Sequence, residues 1–183
     1  NRTFYGALKM FNELMYRSFN ETDNLNYIAL RFFNLYGPRM DTDGKYTEVL
    51  IKWYKLIKEG KRPLIFGDGK QTMDFVNVLD IARSCILAME SDVQDEVFNI
   101  ASGIEISLEE LCFELIKAMK VDIKPEYVPI PEERSKVEVT RRKASIEKAK
   151  KLLGFENNIS IDQGMKQLVD WLEGLDKKEV EVL

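Results

Sequence analysis

The run "YIALRFFNLYGPR", residues 27–39, decides the reading of the chain. Tyr27 to Phe33 is rich in β-branched, aliphatic and aromatic residues and is apolar on both faces except at Arg31. A strand covered on both sides has that pattern, and such strands belong to parallel sheets. The run ends at Asn34, and Gly37–Pro38 signals a turn. On its N-terminal side, Phe4, Leu8, Phe11, Leu14, Met15 and Phe19 recur at helical spacing, which predicts a helix over 4–20 closed by the polar stretch 20–26. On its C-terminal side short strand and helix patterns alternate. Helices are expected at 47–59, 78–89, 107 onward, 145–153 and 161–173. Strands are expected at "PLIFGDG", "TMDFVNV", "EVFNIAS" and, between prolines, over 124–130. Ser107–Leu108–Glu109–Glu110 fits a capping box, Gly154 fits a helix stop, and the tail "DKKEVEVL" is expected to fray. Alternation of this kind favours α/β architecture.

Composition narrows the function. The 183 residues carry 27 basic and 31 acidic side chains, a net charge of −4 with no basic block, which argues against nucleic acid and anionic membrane as partners. No apolar run approaches the ~18–20 residues of a membrane span. The two cysteines, Cys85 and Cys112, lie in apolar helical patterns and read as buried free thiols of a reducing cytoplasm, with no spacing suited to a metal. The chain contains no histidine, so an imidazole base is excluded and proton work falls to Tyr, Lys, Asp, Glu, Cys or a cofactor.

"FYGALK", residues 4–9, holds one candidate for that work. Tyr5 and Lys9 stand one helical turn apart and share a face. A free phenol has a pKa of ~10 and is a poor base at neutral pH, but a neighbouring ammonium favours the phenolate. Taken alone, Tyr-x-x-x-Lys arises often by chance and is usually just a solvated helix face.

Four blocks in order change the weighting: Tyr5-x-x-x-Lys9 with the strand "YIALRFFNLYGPR", then "LIFGDGKQTMDFVNVLDIA", "VFNIASG" and "RRKASIEKAKKLLGF". Together they resemble the extended short-chain dehydrogenase/reductases that act on nucleotide sugars, the epimerase/dehydratase family, from about Thr3 to about Trp171. The resemblance implies the C-terminal part of a Rossmann-like α/β enzyme: the last parallel strands plus a small mixed α/β substrate-binding domain. Residues 1–40 would end the NAD-binding domain. Residues 41–175 would form mainly the substrate domain, with some segments returning to the Rossmann core, and 176–183 a tail. No G-x-x-G-x-x-G occurs, so the Gly-rich cofactor half is expected upstream.

The resemblance also implies roles. Tyr5 is the proton acceptor and donor at the sugar C4 hydroxyl, and Lys9 lowers its pKa and holds the nicotinamide ribose. Phe32, with Phe33, lines the nicotinamide side, or else both are plain core. Asn34 contacts cofactor and sugar, or else caps a strand end. Leu64 and Phe66 flank the nucleotide base, and Arg141 clamps the diphosphate, or else belongs to a solvated cationic stretch with Arg142 and Lys143. Asp74–Phe75–Val76 and Asn99–Gly103 shape the site. Three departures stand out: Met73 where relatives often place an arginine, Ser145 for a ribose-binding aspartate, and Leu8 for a small hydroxyl residue. The implied cofactor is NAD rather than NADP, the substrate a nucleotide sugar of the UDP class, the metal none, and the assembly a homodimer in the cytoplasm. The implied reaction is 4-epimerisation. Dehydration or decarboxylation within the family, and a non-catalytic dinucleotide-sensing or scaffold role outside it, are the alternatives.

Overall fold

The computed structural model describes residues 3–44, 48–131 and 140–181. Helix α1, Phe4–Asp23, starts where the Thr3 side chain accepts a hydrogen bond from the Gly6 N–H at 3.1 Å and stops at Asn24, a left-handed residue with φ 54°. It runs a turn past the expected break at Asn20. Asn20 survives inside the helix because its amide points outward, donating to Leu25 O and Asp95 Oδ1 instead of competing for the helix's own backbone.

The decisive run is two strands. Strand β1, Ile28–Phe32, pairs in parallel with a later strand, Glu96–Ile100. The expectation that the strand ends at Asn34 is corrected: after one residue the chain resumes as β2, Asn34–Tyr36, parallel to Phe75–Asn77. The Phe33 N–H still donates to Ile100 O at 3.0 Å, but the partner strand then ends and the chain takes a new neighbour. Gly37 turns the chain out at φ 137°, where a Cβ would stand 2.8 Å from Val78 Cγ1.

In chain order the remaining elements are α2 (Val49–Lys58), β3 (Leu64–Phe66), β4 (Thr72–Met73), β5 (Phe75–Asn77), α3 (Val78–Glu90) and β6 (Glu96–Ile100). Then follow β7 (Ile106–Ser107), α4 (Leu108–Ala118), β8 (Glu126–Val128), β9 (Arg141–Arg142), α5 (Glu147–Leu153) and α6 (Ile161–Glu181). The expected start of α2 at Thr47 lies outside the described residues. The single strand expected in "TMDFVNV" is split at Asp74, whose carboxylate is turned to another loop. The capping box at Ser107 and Glu110 forms as expected, and Gly154 closes α5 at φ 66°.

Two apolar cores result. One packs Ile28 and Leu30 of β1 with Val76, Phe98 and Ile100, and with Ala149, Leu153 and Phe155 of the α5 segment. The other gathers α2, α4 and α6 around Trp53, Leu111, Leu115, Met165 and Leu168, with Tyr36 at its edge. Trp53 is buried with its indole satisfied, Nε1 donating to Leu64 O at 2.7 Å. Cys112 lies wholly inside this core, and burial pushes its thiol up to about 12; Cys85 is only half-buried, short of the full burial its pattern implied. The tail expected to fray is helical over its described residues, 176–181, and the rest of it lies outside the described residues. Helix α6 continues to Glu181, held partway by Asp176, which accepts from Tyr54 Oη at 2.9 Å and pairs with Lys58 Nζ at 3.0 Å. The expected α/β class with parallel strands is borne out.

Gly164 shows how closely α6 must approach. A Cβ there would overlap the Tyr36 hydroxyl and stand 2.8 Å from Asn77 Nδ2, and both neighbours are fully buried. Alanine would add up to ~1 kcal/mol of helix propensity, but overlap with groups that cannot move costs more. Gly164→Ala is expected to destabilise the fold by about 1–3 kcal/mol. Thermal unfolding measures this, and an unchanged or raised midpoint would contradict it.

Candidate functional site

Helix α1 lies antiparallel to β1. As residue numbers rise along the helix, Glu13 bonds Arg31, Tyr16 stacks on Tyr27 at 6.0 Å between centroids, and Asn20 reaches Leu25 and Asp95. The N-terminus of α1 therefore runs out beyond the carboxyl ends of β1 and β6. In open parallel sheets that is the side where ligands bind. Tyr5 stands eight residues before Glu13, about 12 Å further along the axis.

The pair is exposed at that end. Tyr5 keeps 69% of its surface, and the Lys9 ammonium lies 5.3 Å from the centroid of its ring, within cation–π range. Around the pair α1 is largely uncovered. Gly6 alone is fully buried among its described residues, while Phe4, Leu8, Phe11 and Leu14 stand in solvent. A groove of about 590 Å³ runs beside it, lined by Glu13, Arg17, Tyr27, Arg31 and Asp95 among others.

At the carboxyl ends of the strands the expected residues gather on one buried acid. Asn34 sits at the start of β2 and donates from Nδ2 to Asp74 O at 2.9 Å. Asp74 is fully buried and accepts from Ser102 N at 2.7 Å, Ser102 Oγ at 2.6 Å and Gly103 N at 3.0 Å. Gly103 in turn lines a second cleft, of about 570 Å³, with Arg141, Lys143 and Ser145. Asn34, Asp74, the Ser102–Gly103 loop and Arg141 thus form a continuous wall. Phe32, 43% exposed, ends β1 above it.

Arg141 is engaged rather than open. Its guanidinium donates two hydrogen bonds to Glu105, at 2.6 and 2.7 Å, and holds that carboxyl down at about 2. Thr72 Oγ1 donates to the same carboxylate at 3.0 Å. Nothing in the sequence marks Glu105 as this partner, since the two residues come together through the sheet β7–β4–β9. Leu64 and Phe66 lie apart from the wall, half-buried on the β3–β8 pair. Their carbonyls accept from Trp53 Nε1 and Gln71 Nε2. Met73, at the departure from the family pattern, packs its side chain against the α2–α4–α6 core.

A second buried acid escaped the sequence reading. Asp80 on α3 accepts from Asn158 N at 3.2 Å and Ile159 N at 3.1 Å and pairs with Arg83, so it ties down the entry to α6. A carboxylate in an apolar helical pattern was the available signal. Among the described residues no cluster of three or more Cys, Asp or Glu is arranged to hold a metal ion, and no helix is long and apolar enough to cross a membrane.

Known proteins share this fold. The chain is 34% identical over 169 residues to a putative UDP-glucose 4-epimerase of Methanocaldococcus jannaschii, covering 92% of the chain and 53% of that protein. The crystal structure of UDP-glucose 4-epimerase with UDP-glucose from Thermotoga maritima superposes with a TM-score of 0.85 at 32% identity, covering 93% of this chain and 53% of that one. That of UDP-glucuronic acid 4-epimerase from Bacillus cereus, in complex with UDP-glucuronic acid and NAD, gives 0.80 at 27% identity over 93% and 52%. The chain spans about half the length of the curated relatives it matches. The model of the NAD dependent epimerase/dehydratase family matches residues 1–101, which take in α1, both halves of the decisive run, Asn34 and Asp74 of the wall, and β6, and the chain belongs to that family.

Proposed function

We propose that this chain is the substrate-side part of an NAD-dependent nucleotide-sugar 4-epimerase, with a UDP-sugar as substrate. The observation that carries the reading is the Tyr5–Lys9 pair, exposed at the carboxyl end of parallel strands with the ammonium 5.3 Å from the phenol ring. The residues present suit the nicotinamide end of NAD. A phenol and an ammonium project from one helix face, and an exposed aromatic, Phe32, ends the adjoining strand. When bound, NAD supplies the hydride acceptor and donor.

Tyr5 takes the proton of the sugar C4 hydroxyl as that carbon is oxidised, and returns it when the carbon is reduced from the other face. Lys9 stabilises the phenolate between these steps and hydrogen-bonds the nicotinamide ribose. Asn34 orients the sugar from a position fixed by Asp74. Arg141 binds the diphosphate once Glu105 yields it, as a bidentate donor suits. Leu64 and Phe66 flank the base. The domain division at about residue 40 follows, with β6, α3 and α5 serving the first core.

The exposed apolar side chains of α1 lie on more than one face: Phe4, Leu8, Met10, Phe11, Leu14 and Phe19. This supports a homodimer, in which a second copy covers what the rest of the protein does not. Unpaired Cys85 and Cys112 favour a reducing compartment, the cytoplasm.

Incubating the full-length protein with UDP-, dTDP- and GDP-sugars, and following products by NMR, tests the reaction. Inversion at C4 with no change of mass is expected. Loss of water or carbon dioxide would assign the chain to the dehydratases or decarboxylases of the family. No conversion of any sugar would favour a binding role.

A further inference from the structure

Lys9 faces two competing partners on its own helix. Tyr5 lies one turn before it and Glu13 one turn after it, and both are within reach of a lysine at i±4 spacing. An ammonium held by a carboxylate is a weaker aid to a phenolate, and the carboxylate's own charge opposes phenolate formation. Yet Lys9 makes no ion pair among the described residues, and its ammonium sits against the Tyr5 ring. Glu13 is occupied elsewhere. Arg31 of β1 takes both of its oxygens, Nε to Oε1 at 2.7 Å and Nη2 to Oε2, and these hydrogen bonds hold the Glu13 carboxyl below its ordinary range.

We propose that Arg31 is a positioning residue for the proton transfer: by saturating Glu13, it leaves the Lys9 ammonium to Tyr5. This deepens the proposed function and rests on Tyr5 as the base. The other charged groups along the groove are already engaged. Arg17 pairs with Glu21 at 3.1 Å, and Asp95 accepts from Asn20. Tyr27, the remaining titratable group there, stacks on Tyr16. Glu13 is therefore the carboxylate whose release would reach Lys9. Because Arg31 sits on β1, the ammonium's environment depends on α1 being docked against the sheet.

The pH profile of kcat/KM in the full-length protein tests this, because a mere strut between helix and strand would not move it selectively. Arg31→Gln frees Glu13, so the ascending limb is expected to move up by about one unit. Glu13→Gln with Arg31→Gln removes the competitor as well, and the limb is expected to return close to the parent's. Glu13→Gln alone is expected to leave the limb in place or lower it, since an unpaired guanidinium favours the phenolate. Three variants that lose kcat alike with the limb unmoved, or a double variant no better than Arg31→Gln, would overturn the proposal. Should Arg31→Gln show no turnover at all, recovery in the double variant supports the proposal and its failure overturns it. Tyr5→Phe in parallel separates the two levels. If it remains active, the base assignment fails; if it is inactive while the limbs coincide, only the role of Arg31 fails.

Discussion

Replacing Tyr5 by phenylalanine in the full-length protein is expected to lower turnover by about 10²–10⁴-fold, the span of a positioned general acid–base group. The substitution removes one oxygen and leaves the ring that Lys9 overlies. Tyr5 is largely exposed, and the helix N-terminus is capped through Thr3 and Gly6, so the fold has no stake in the hydroxyl. Binding of NAD and of the nucleotide sugar should therefore persist, with KM changed far less than kcat. Steady-state kinetics with calorimetric binding checks both halves. A Phe variant turning over within about threefold of its parent would remove Tyr5 from the mechanism, since a lost proton acceptor costs at least an order of magnitude more. A fall in affinity with kcat kept would make it a binding residue.

The second large effect is on stability. Asp74→Ala is expected to cost about 2 kcal/mol or more, because it takes the acceptor from two half-buried backbone N–H groups, those of Ser102 and Gly103, and leaves the Ser102 hydroxyl only Ile104 O. Each buried donor left without a partner costs about 1–3 kcal/mol. Asp74→Asn should cost less, because the amide oxygen still accepts from Ser102 while the amide nitrogen now faces the Gly103 N–H. Urea unfolding orders the three proteins, and an alanine variant within about 0.5 kcal/mol of the parent would refute the account. Activity should fall with stability in this series. The carbonyl that holds Asn34 belongs to Asp74, and the loop it pins borders the cleft beside Arg141.

What could be read from the chain and what could not divide along a physical line. The capping box at Ser107, the stop at Gly154 and the helix carrying Tyr5 are local, and local patterns revealed them. The parallel strand at 28–32 was legible because a strand covered on both faces has a distinctive composition. Its continuation as β2 was not, because which neighbour a strand pairs with is set by residues far along the chain, here Phe75–Asn77. The site shows the same split. Spacing alone put Tyr5 and Lys9 on one face, but the partners that fix the rest came from afar: Glu105 for Arg141, Arg31 for Glu13, the Ser102 loop for Asp74. The extension of α6 was missed because the tail's polar composition suits fraying, and the Tyr54 and Lys58 contacts to Asp176 are not visible in it.

Helix α1 has one fully buried residue among those described, and most of a helix's stability in a protein comes from packing of its apolar face. Its ties to the rest of the chain run through Glu13, Tyr16 and Asn20, so in the proposed homodimer the partner copy would steady the turn that carries Tyr5 and Lys9. In that dimer the proposed chemistry would answer to mass action: as the protein is diluted and the partner dissociates, phenol and ammonium would lose their shared frame while the two cores stay intact. Specific activity would then fall with concentration before any sign of global unfolding.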